Sequence, residues 1–498
     1  MLKRLSMMVS FGIMTLLCTA NVVAQGPDTL WTRTYGGADH DLGSSVQQAS
    51  DGGYVIAGWT VSYGAGRGDV YLIKTGGDGH ILWTKTYGDT MGDAGHSVTE
   101  TGDGGYLTVG HTYSEGPGNA DVYLIRSGAN GDMQWAKTYG GALSDFAYSV
   151  LETSDHGALI AGYTESFGVG GRDVYLLRVD AEGDSIWARA YGGSNHDVGS
   201  CVSSTEDGCY LIAGYTYSFG SGSNDAHLLK VEPNGTVRWA KTYGGAGSDG
   251  AHSVHPTSDG GCVIAGYTGS FGAGSYDVYL IKTDPNGDTM WTRTYGGSYS
   301  DGGLSVEETV DGGYIVVGWT TSFGAGNGDA YILRTDAHGE VLWTRTYGGR
   351  EFEEAYSVQL TSDGGYIVAG YTFSFGAGGS DVWLIRIGPD VGIQEEKPPY
   401  EYCCIYEIVP NPCWNRTVVQ YSLREDSNVN LTILNLLGEQ IKMLIDDQRT
   451  AGLHTVVWKA TDDTGRKVPS GTYFLRLQAH TGPGTGNYTA TRKVCVVR

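Results

Sequence analysis

The residue types able to do chemistry gather where an otherwise regular sequence departs from its own pattern. Asp39, His40 and Asp41 stand together near the start, and His96, His111 and Glu115 follow, close to Asp89. Arg350, Glu351, Glu353 and Glu354 crowd one short segment far downstream. Carboxylates beside imidazoles can hold a cation, or act as general acid and base on a glycosidic bond. In an acidic chain they also serve as solvated loop positions. Asp39, His40, Asp41, His96, His111, Glu115, Glu351, Glu353 and Glu354 are therefore candidates for binding rather than catalysis. The sequence has no zinc-spaced cysteines, no phosphate-cradling glycine loop and no Gly-x-Ser-x-Gly elbow. No catalytic residue, cofactor or metal is assigned.

The elements that position these residues follow from a repeat. Tryptophans fall at 31, 83, 135, 187, 239, 291 and 343, always 52 apart. Each opens a segment such as Trp291-Thr-Arg-Thr-Tyr-Gly-Gly297. Two further blocks keep the same register. One is Asp51-Gly-Gly-Tyr54 and its equivalents to Asp363-Gly-Gly-Tyr366; the other runs from Asp69-Val-Tyr-Leu-Ile-Lys74 to Asp381-Val-Trp-Leu-Ile-Arg386. Internal periods of this length mark repeat architectures. Each unit reads as four short strands, for example Leu304–Thr309, Gly313–Thr320, Asp329–Thr335 and Val341–Tyr347, rich in residues that suit a pleated surface. Turn chemistry separates them: Ser-Asp-Gly-Gly, Ser-Phe-Gly-Ala-Gly and Asp-Pro-Asn-Gly-Asp. Helices should be nearly absent. The chain starts with a Trp-strand that lacks its three predecessors and ends, after Arg386, with three strands lacking a Trp-strand. Pairing the first with the last completes seven units and leaves no open edge. Residues 29–387 are thus expected to form a seven-bladed β-propeller, the Trp-strand outermost in each blade.

Composition bounds what such a protein can do. The 498 residues exceed one ordinary core, and 80 glycines without a collagen triplet, in a chain 40% hydrophobic, exclude both fibrous and disordered classes. Acidic residues outnumber basic ones 55 to 32, a net −23 that repels nucleic acid and anionic lipid. Lys3 and Arg4, an apolar run to Cys18 and Val22-Val23-Ala24 have the layout of a secretory signal peptide over residues 1–24, whose removal takes the net charge to −25. No other segment is long and apolar enough to span a membrane. Seven cysteines remain after that removal. Cys403 or Cys404 with Cys413, or Cys413 with Cys495, are possible disulfides, and buried thiols are the alternative.

The repeat loosely resembles kelch-type propellers, with Ile367-Val-Ala-Gly370 before a strand and a Trp, but lacks their double glycine. It is more similar to a 52-residue propeller-like repeat of exported bacterial proteins, over residues 29–387. Residues 388–402, with Gly388-Pro389 and Pro398-Pro399, read as a linker that extends to 406. Beyond it, alternating strands with regular turn signals suggest an immunoglobulin-like sandwich over 407–498. Several spaced elements there carry a second resemblance: Asn411-Pro412, Leu437-Gly438, Ser470-Gly471-Thr-Tyr473 and Arg492-Lys493. The stretch resembles the type A C-terminal sorting domain of the type IX secretion system, in its flagellar hook-capping Ig-like form. The resemblance implies export across the outer membrane and, as partners, the type IX translocon and sortase, with Asn411, Pro412, Gly438, Gly471, Tyr473, Arg492 and Lys493 in the sorting signal. The expectation is an all-β, monomeric, secreted or surface protein that binds or displays glycan or surface protein without catalysis. The alternative is an extracellular polysaccharide-acting enzyme with carboxylates on its irregular loops.

Overall fold

The computed structural model describes residues 26–390, 404–409, 413, 415–423, 426–436, 438–480 and 487–497. The signal-peptide segment, most of the linker, Asn411 and Pro412 lie outside them. The described residues contain no helix and divide into two compact units, residues 1–390 and 391–498.

In the first unit β1 (Thr29–Tyr35) is followed by β2 (Asp41–Gln48), β3 (Tyr54–Thr60), β4 (Asp69–Thr75) and β5 (Ile81–Tyr87). This pattern recurs with the sequence period through β6–β25, residues 93–347, and ends with β26 (Glu353–Leu360), β27 (Tyr366–Thr372) and β28 (Asp381–Ile387). Among the described residues these strands make seven four-stranded antiparallel sheets. Sheet one is β2–β5, sheets two to six follow in order, and sheet seven is β26, β27, β28 and then β1. The first strand therefore lies on the last, with Thr34 opposite Trp383 and Tyr35 opposite Val382. The innermost strands β2, β6 (Asp93–Glu100), β10 (Asp145–Glu152), β14 (Asp197–Ser204), β18 (Asp249–Pro256), β22 (Asp301–Glu308) and β26 each touch the next, and β26 touches β2. This is a propeller-like domain. The innermost strand begins three residues before the sequence reading placed it, at Asp301 rather than Leu304 in sheet six. The polar start was missed because Asp301 is a buried cap, not a turn residue.

The third strand of each sheet, such as Val70-Tyr-Leu-Ile73, is buried along its whole length because neighbouring sheets cover both faces. Its last cation is buried too. Lys74 pairs with Asp51 at 2.8 Å and Arg126 with Asp103 at 2.7 Å, so the Asp-Gly-Gly turn supplies the counter-charge. The outer Trp-strand joins one sheet to the next. Trp31 packs edge-on against Tyr54 at 6.0 Å, and the Tyr35 hydroxyl donates to the Gly79 carbonyl in the following sheet's last turn, 2.7 Å. Gly79 has φ +77°, and a Cβ there would sit 2.8 Å from the Trp31 ring, so the turn strongly favours glycine.

The second unit is an Ig-like domain. β29 (Cys404–Val409), β30 (Thr417–Leu423) and β33 (Gly452–Trp458) form one sheet; β31 (Ser427–Leu434), β32 (Gln440–Arg449), β34 (Gly471–His480) and β35 (Asn487–Val496) form the other. Trp458, Tyr421, Leu431 and Leu475 fill the core between them. β29 starts inside the stretch read as linker. Gly438 sits exposed in a tight turn at φ +81°, Gly471 opens β34, and Tyr473 packs on Trp458 with its hydroxyl on the Pro469 carbonyl, 2.9 Å. Arg492 and Lys493 are exposed on β35. Cys413 carries a free thiol, with its backbone N–H on the Cys495 carbonyl, 2.8 Å.

Candidate functional site

Each innermost strand carries a β-bulge at the same place. In sheet one Gly43 faces Gly58 and Ser45 faces Ala57, which leaves Ser44 unpaired; in sheet two the unpaired residue is His96. A bulge re-aims the side chain of its extra residue. Here it turns two successive residues inward. The glycine of the neighbouring second strand makes room for it: a Cβ on Gly58 would lie 1.7 Å from the Leu42 carbonyl oxygen.

The seven bulges converge on one cavity of about 690 Å³, lined from every sheet. The bulged residues Ser44, His96, Tyr148, Ser200, His252, Leu304 and Tyr356 all face it, as does the residue after each. That next residue is serine in six sheets and Cys201 in the other. The serines form a belt from sheet to sheet. Val98 N–H donates to Ser45 Oγ at 3.4 Å, Val150 N–H to Ser97 Oγ at 3.3 Å, and Val46 N–H to Ser357 Oγ at 3.2 Å across the junction of the first and last sheets. Each hydroxyl is occupied as an acceptor and keeps its own proton to donate. Trp59, Tyr215 and Trp319 reach the cavity from the second strands.

One wall is aromatic and tightly packed. His96 Nε2 and His111 Nδ1 are 2.9 Å apart with stacked rings, His111 lies 4.2 Å from Phe146, and Phe146 stacks on Tyr163 at 5.0 Å. Burial and the neighbouring His111 pull His96 down to about 3, and burial alone brings His111 and His252 to about 4. All three imidazoles are neutral at physiological pH. Glu354, in sheet seven, is the sole carboxylate among the lining residues, and no lysine or arginine lines the cavity. The Tyr371 hydroxyl donates to Glu354 at 3.0 Å, while burial pushes the carboxyl above its usual range.

The sequence candidates thus separate into three groups. His96 and Glu354 face the cavity and His111 stands behind His96. They lie on strands rather than on loops: His96 is the bulged residue of its strand, Glu354 stands two residues before the bulged Tyr356 and pairs with Tyr371, and His111 is on the second strand opposite Ala94. Asp41 and Glu353 are fully buried caps: Asp41 accepts from Gly37 N–H and Ser62 Oγ at 2.7 Å each, and Glu353 accepts from Gly349 N–H at 2.7 Å and from Thr372 Oγ1 and Ser374 N–H at 3.0 Å. They hold adjacent loops together and have no face toward solvent. Asp39, His40, Glu115 and Glu351 are exposed on the loop face. There His40 Nδ1 accepts from Ser380 N–H, 3.1 Å, bringing the first and seventh units together. The half-exposed loop aromatics pack on their own sheets, Tyr63 on Tyr71 at 5.7 Å and Phe375 on Trp383 at 5.7 Å. Among the described residues no group of three or more His, Cys, Asp or Glu is placed to hold a metal. The sequence reading named His96 but missed Trp59, Trp319 and the other bulge positions. Their signal was there to be found, since Ser, His, Tyr, Ser, His, Leu and Tyr occupy one position of an otherwise strict repeat.

Fold and site define a propeller-like domain with a central cavity, followed by an Ig-like domain. Residues 205–237 match the model of a domain of unknown function, the DUF5122 beta-propeller, and residues 415–483 match that of the FlgD Ig-like domain. The regulatory protein FlaEY of Caulobacter vibrioides is 26% identical over 198 residues, 34% of this chain, which spans only 20% of that relative's length. Among solved structures, PorZ, a surface component of the type IX secretion system of Porphyromonas gingivalis, aligns over 90% of this chain and 58% of its own, at 13% identity and TM-score 0.38. A puromycin hydrolase aligns over 76% and 58%, at 14% identity and TM-score 0.45. Likeness at this level carries no statement about activity. No helix among the described residues is long and apolar enough to cross a membrane.

Proposed function

We propose that this chain is a secreted or cell-surface seven-bladed β-propeller, closed by its N-terminal strand, that binds glycan in its central cavity without turning it over. The carrying observation is the composition of that cavity. Trp59, Trp319, Tyr148, Tyr215 and Tyr356 offer flat apolar faces beside a belt of serine hydroxyls. Sugars present the complementary surfaces, apolar C–H faces and a rim of hydroxyls. Hydrolysis by the usual route needs two carboxyl groups flanking the bond, and the cavity wall offers one. A screen of plant and bacterial polysaccharides tests both halves of the reading. Binding without release of reducing ends supports it; turnover that is abolished by Glu354→Gln overturns the non-catalytic half.

Export belongs to the same proposal. The signal-peptide layout of residues 1–24 and the sorting-domain resemblance of 407–498 support passage through the type IX translocon and processing by its sortase. Deleting residues 407–498 is expected to leave the protein in the periplasm. Undiminished surface display of the truncated chain overturns the sorting assignment.

A further inference from the structure

The serine belt is nearly uniform, but the wall beside Glu354 is not. Glu354 belongs to sheet seven, and the same repeat position in the two adjoining sheets is Gly302 in sheet six and Leu42 in sheet one. Directly across the strand pair from those two residues stand Trp319 and Trp59. In four of the other sheets this second-strand position is tyrosine, and in sheet two it is His111. The two tryptophans of this position therefore flank the one sheet that carries an acidic group at that level. Gly302 makes room for its partner: a Cβ there would lie 2.8 Å from Trp319 Nε1.

We propose that the cavity selects a sugar bearing a protonated amine, an unacetylated amino sugar, with Glu354 as its counter-charge between the faces of Trp59 and Trp319. This rests on the glycan reading and narrows it. A carboxylate in a cavity that also holds two indoles has two features that suit an ammonium group: the negative charge of its ionised form and the negative faces of the indoles. Among the described residues no salt bridge reaches Glu354, and every histidine near the cavity is neutral. The hydroxyls of Tyr371 and Tyr356 offset part of the cost of burying the carboxyl, and a bound cation offsets more. The sugar's other hydroxyls then meet the protons of the serine belt. A neutral or N-acetylated sugar finds the same stacking surface but leaves Glu354 without a cation.

The test is calorimetric titration of the whole mature chain, at several pH values from mildly acidic to neutral, with three trisaccharides: glucosamine-based, its N-acetylated form, and the glucose-based neutral analogue. The free amine is expected to bind about tenfold tighter than either neutral ligand. Added salt should shrink that gap. Glu354→Gln is expected to abolish the preference by bringing the amine's affinity down to that of the neutral ligands, and Glu354→Asp to retain part of it. Far-UV circular dichroism and thermal midpoints confirm that the variants are folded. Equal binding of all three, unaffected by Glu354→Gln, overturns the amine preference and leaves the glycan reading standing. Silence of all three with a positive hit on a wider glycan array does the same. Silence on the array as well removes both.

Discussion

Glu307 shows how much one position of the repeat can carry. Gln47, Glu307 and Gln359 occupy the same place in their sheets, and each side chain accepts a backbone N–H from the next sheet. Gln47 Oε1 takes that of Glu100 at 2.6 Å, Gln359 Oε1 that of Gln48, and Glu307 Oε2 that of Leu360 at 2.7 Å. An amide does this without charge, whereas burial pushes the Glu307 carboxyl up to about 7. Its folded value lies above the unfolded value, so its contribution is complete below about pH 4 and is lost as pH rises through about 7. Glu307→Gln is therefore expected to leave acid stability unchanged and to raise stability by up to about 3 kcal/mol at alkaline pH. Urea midpoints measured at acidic and alkaline pH check this. A variant destabilised at both would show that the carboxylate itself is needed. The sequence showed Glu307 only as a polar residue in a strand, because its partner lies 53 residues away in another sheet.

At the scale of elements, the last turn of each sheet is locked by the sheet before it. Gly287, in the turn of sheet five, has φ +76°; its carbonyl accepts from the Tyr243 hydroxyl at 2.7 Å, and a Cβ would meet Trp239 at 2.8 Å. Gly312, in the Asp-Gly-Gly turn of sheet six, has φ +77° with nothing within 4 Å. Alanine at either position incurs the left-handed backbone cost of about 1–2 kcal/mol. Gly287→Ala alone also crowds an indole, and is expected to cost about 1 kcal/mol more than Gly312→Ala. Thermal unfolding of the two variants measures the difference; equal losses would mean that the Trp contact adjusts freely. The motifs Asp-Pro-Asn-Gly-Asp and Trp-x-x-x-Tyr were legible one by one, as a turn and a strand. Their contact was not, since it joins a strand of one sheet to a turn of the next.

The whole first unit depends on the union of its ends. β1 supplies the outer strand of sheet seven, packs Trp31 on Tyr54 and anchors Tyr35 to Gly79. Removing residues 26–35 leaves β28 as a bare edge and strips sheet one of its neighbouring Trp-strand. The truncated chain is expected to unfold at lower urea concentration in its first unit and become protease-sensitive in sheets seven and one. Moving residues 29–35 to follow Ile387 through a short turn is expected to restore both, because β1 runs antiparallel to β28. Unchanged unfolding of the truncated chain would show that the junction contributes little.

The sequence by itself determined the period, the strands and turns within each unit, and the pairing of the first strand with the last unit. These follow from local chemistry: turn glycines, β-branched runs, and one Trp-strand surplus at the front against one missing at the back. Only the tertiary structure decided which departures from the repeat matter. His96 and Glu354 face a common cavity, Asp41 and Glu353 are buried caps, and Trp59 and Trp319 stand on either side of an acidic sheet. Strand pairing and a one-residue bulge place these side chains, and the cavity they face exists only because all seven sheets line the same space.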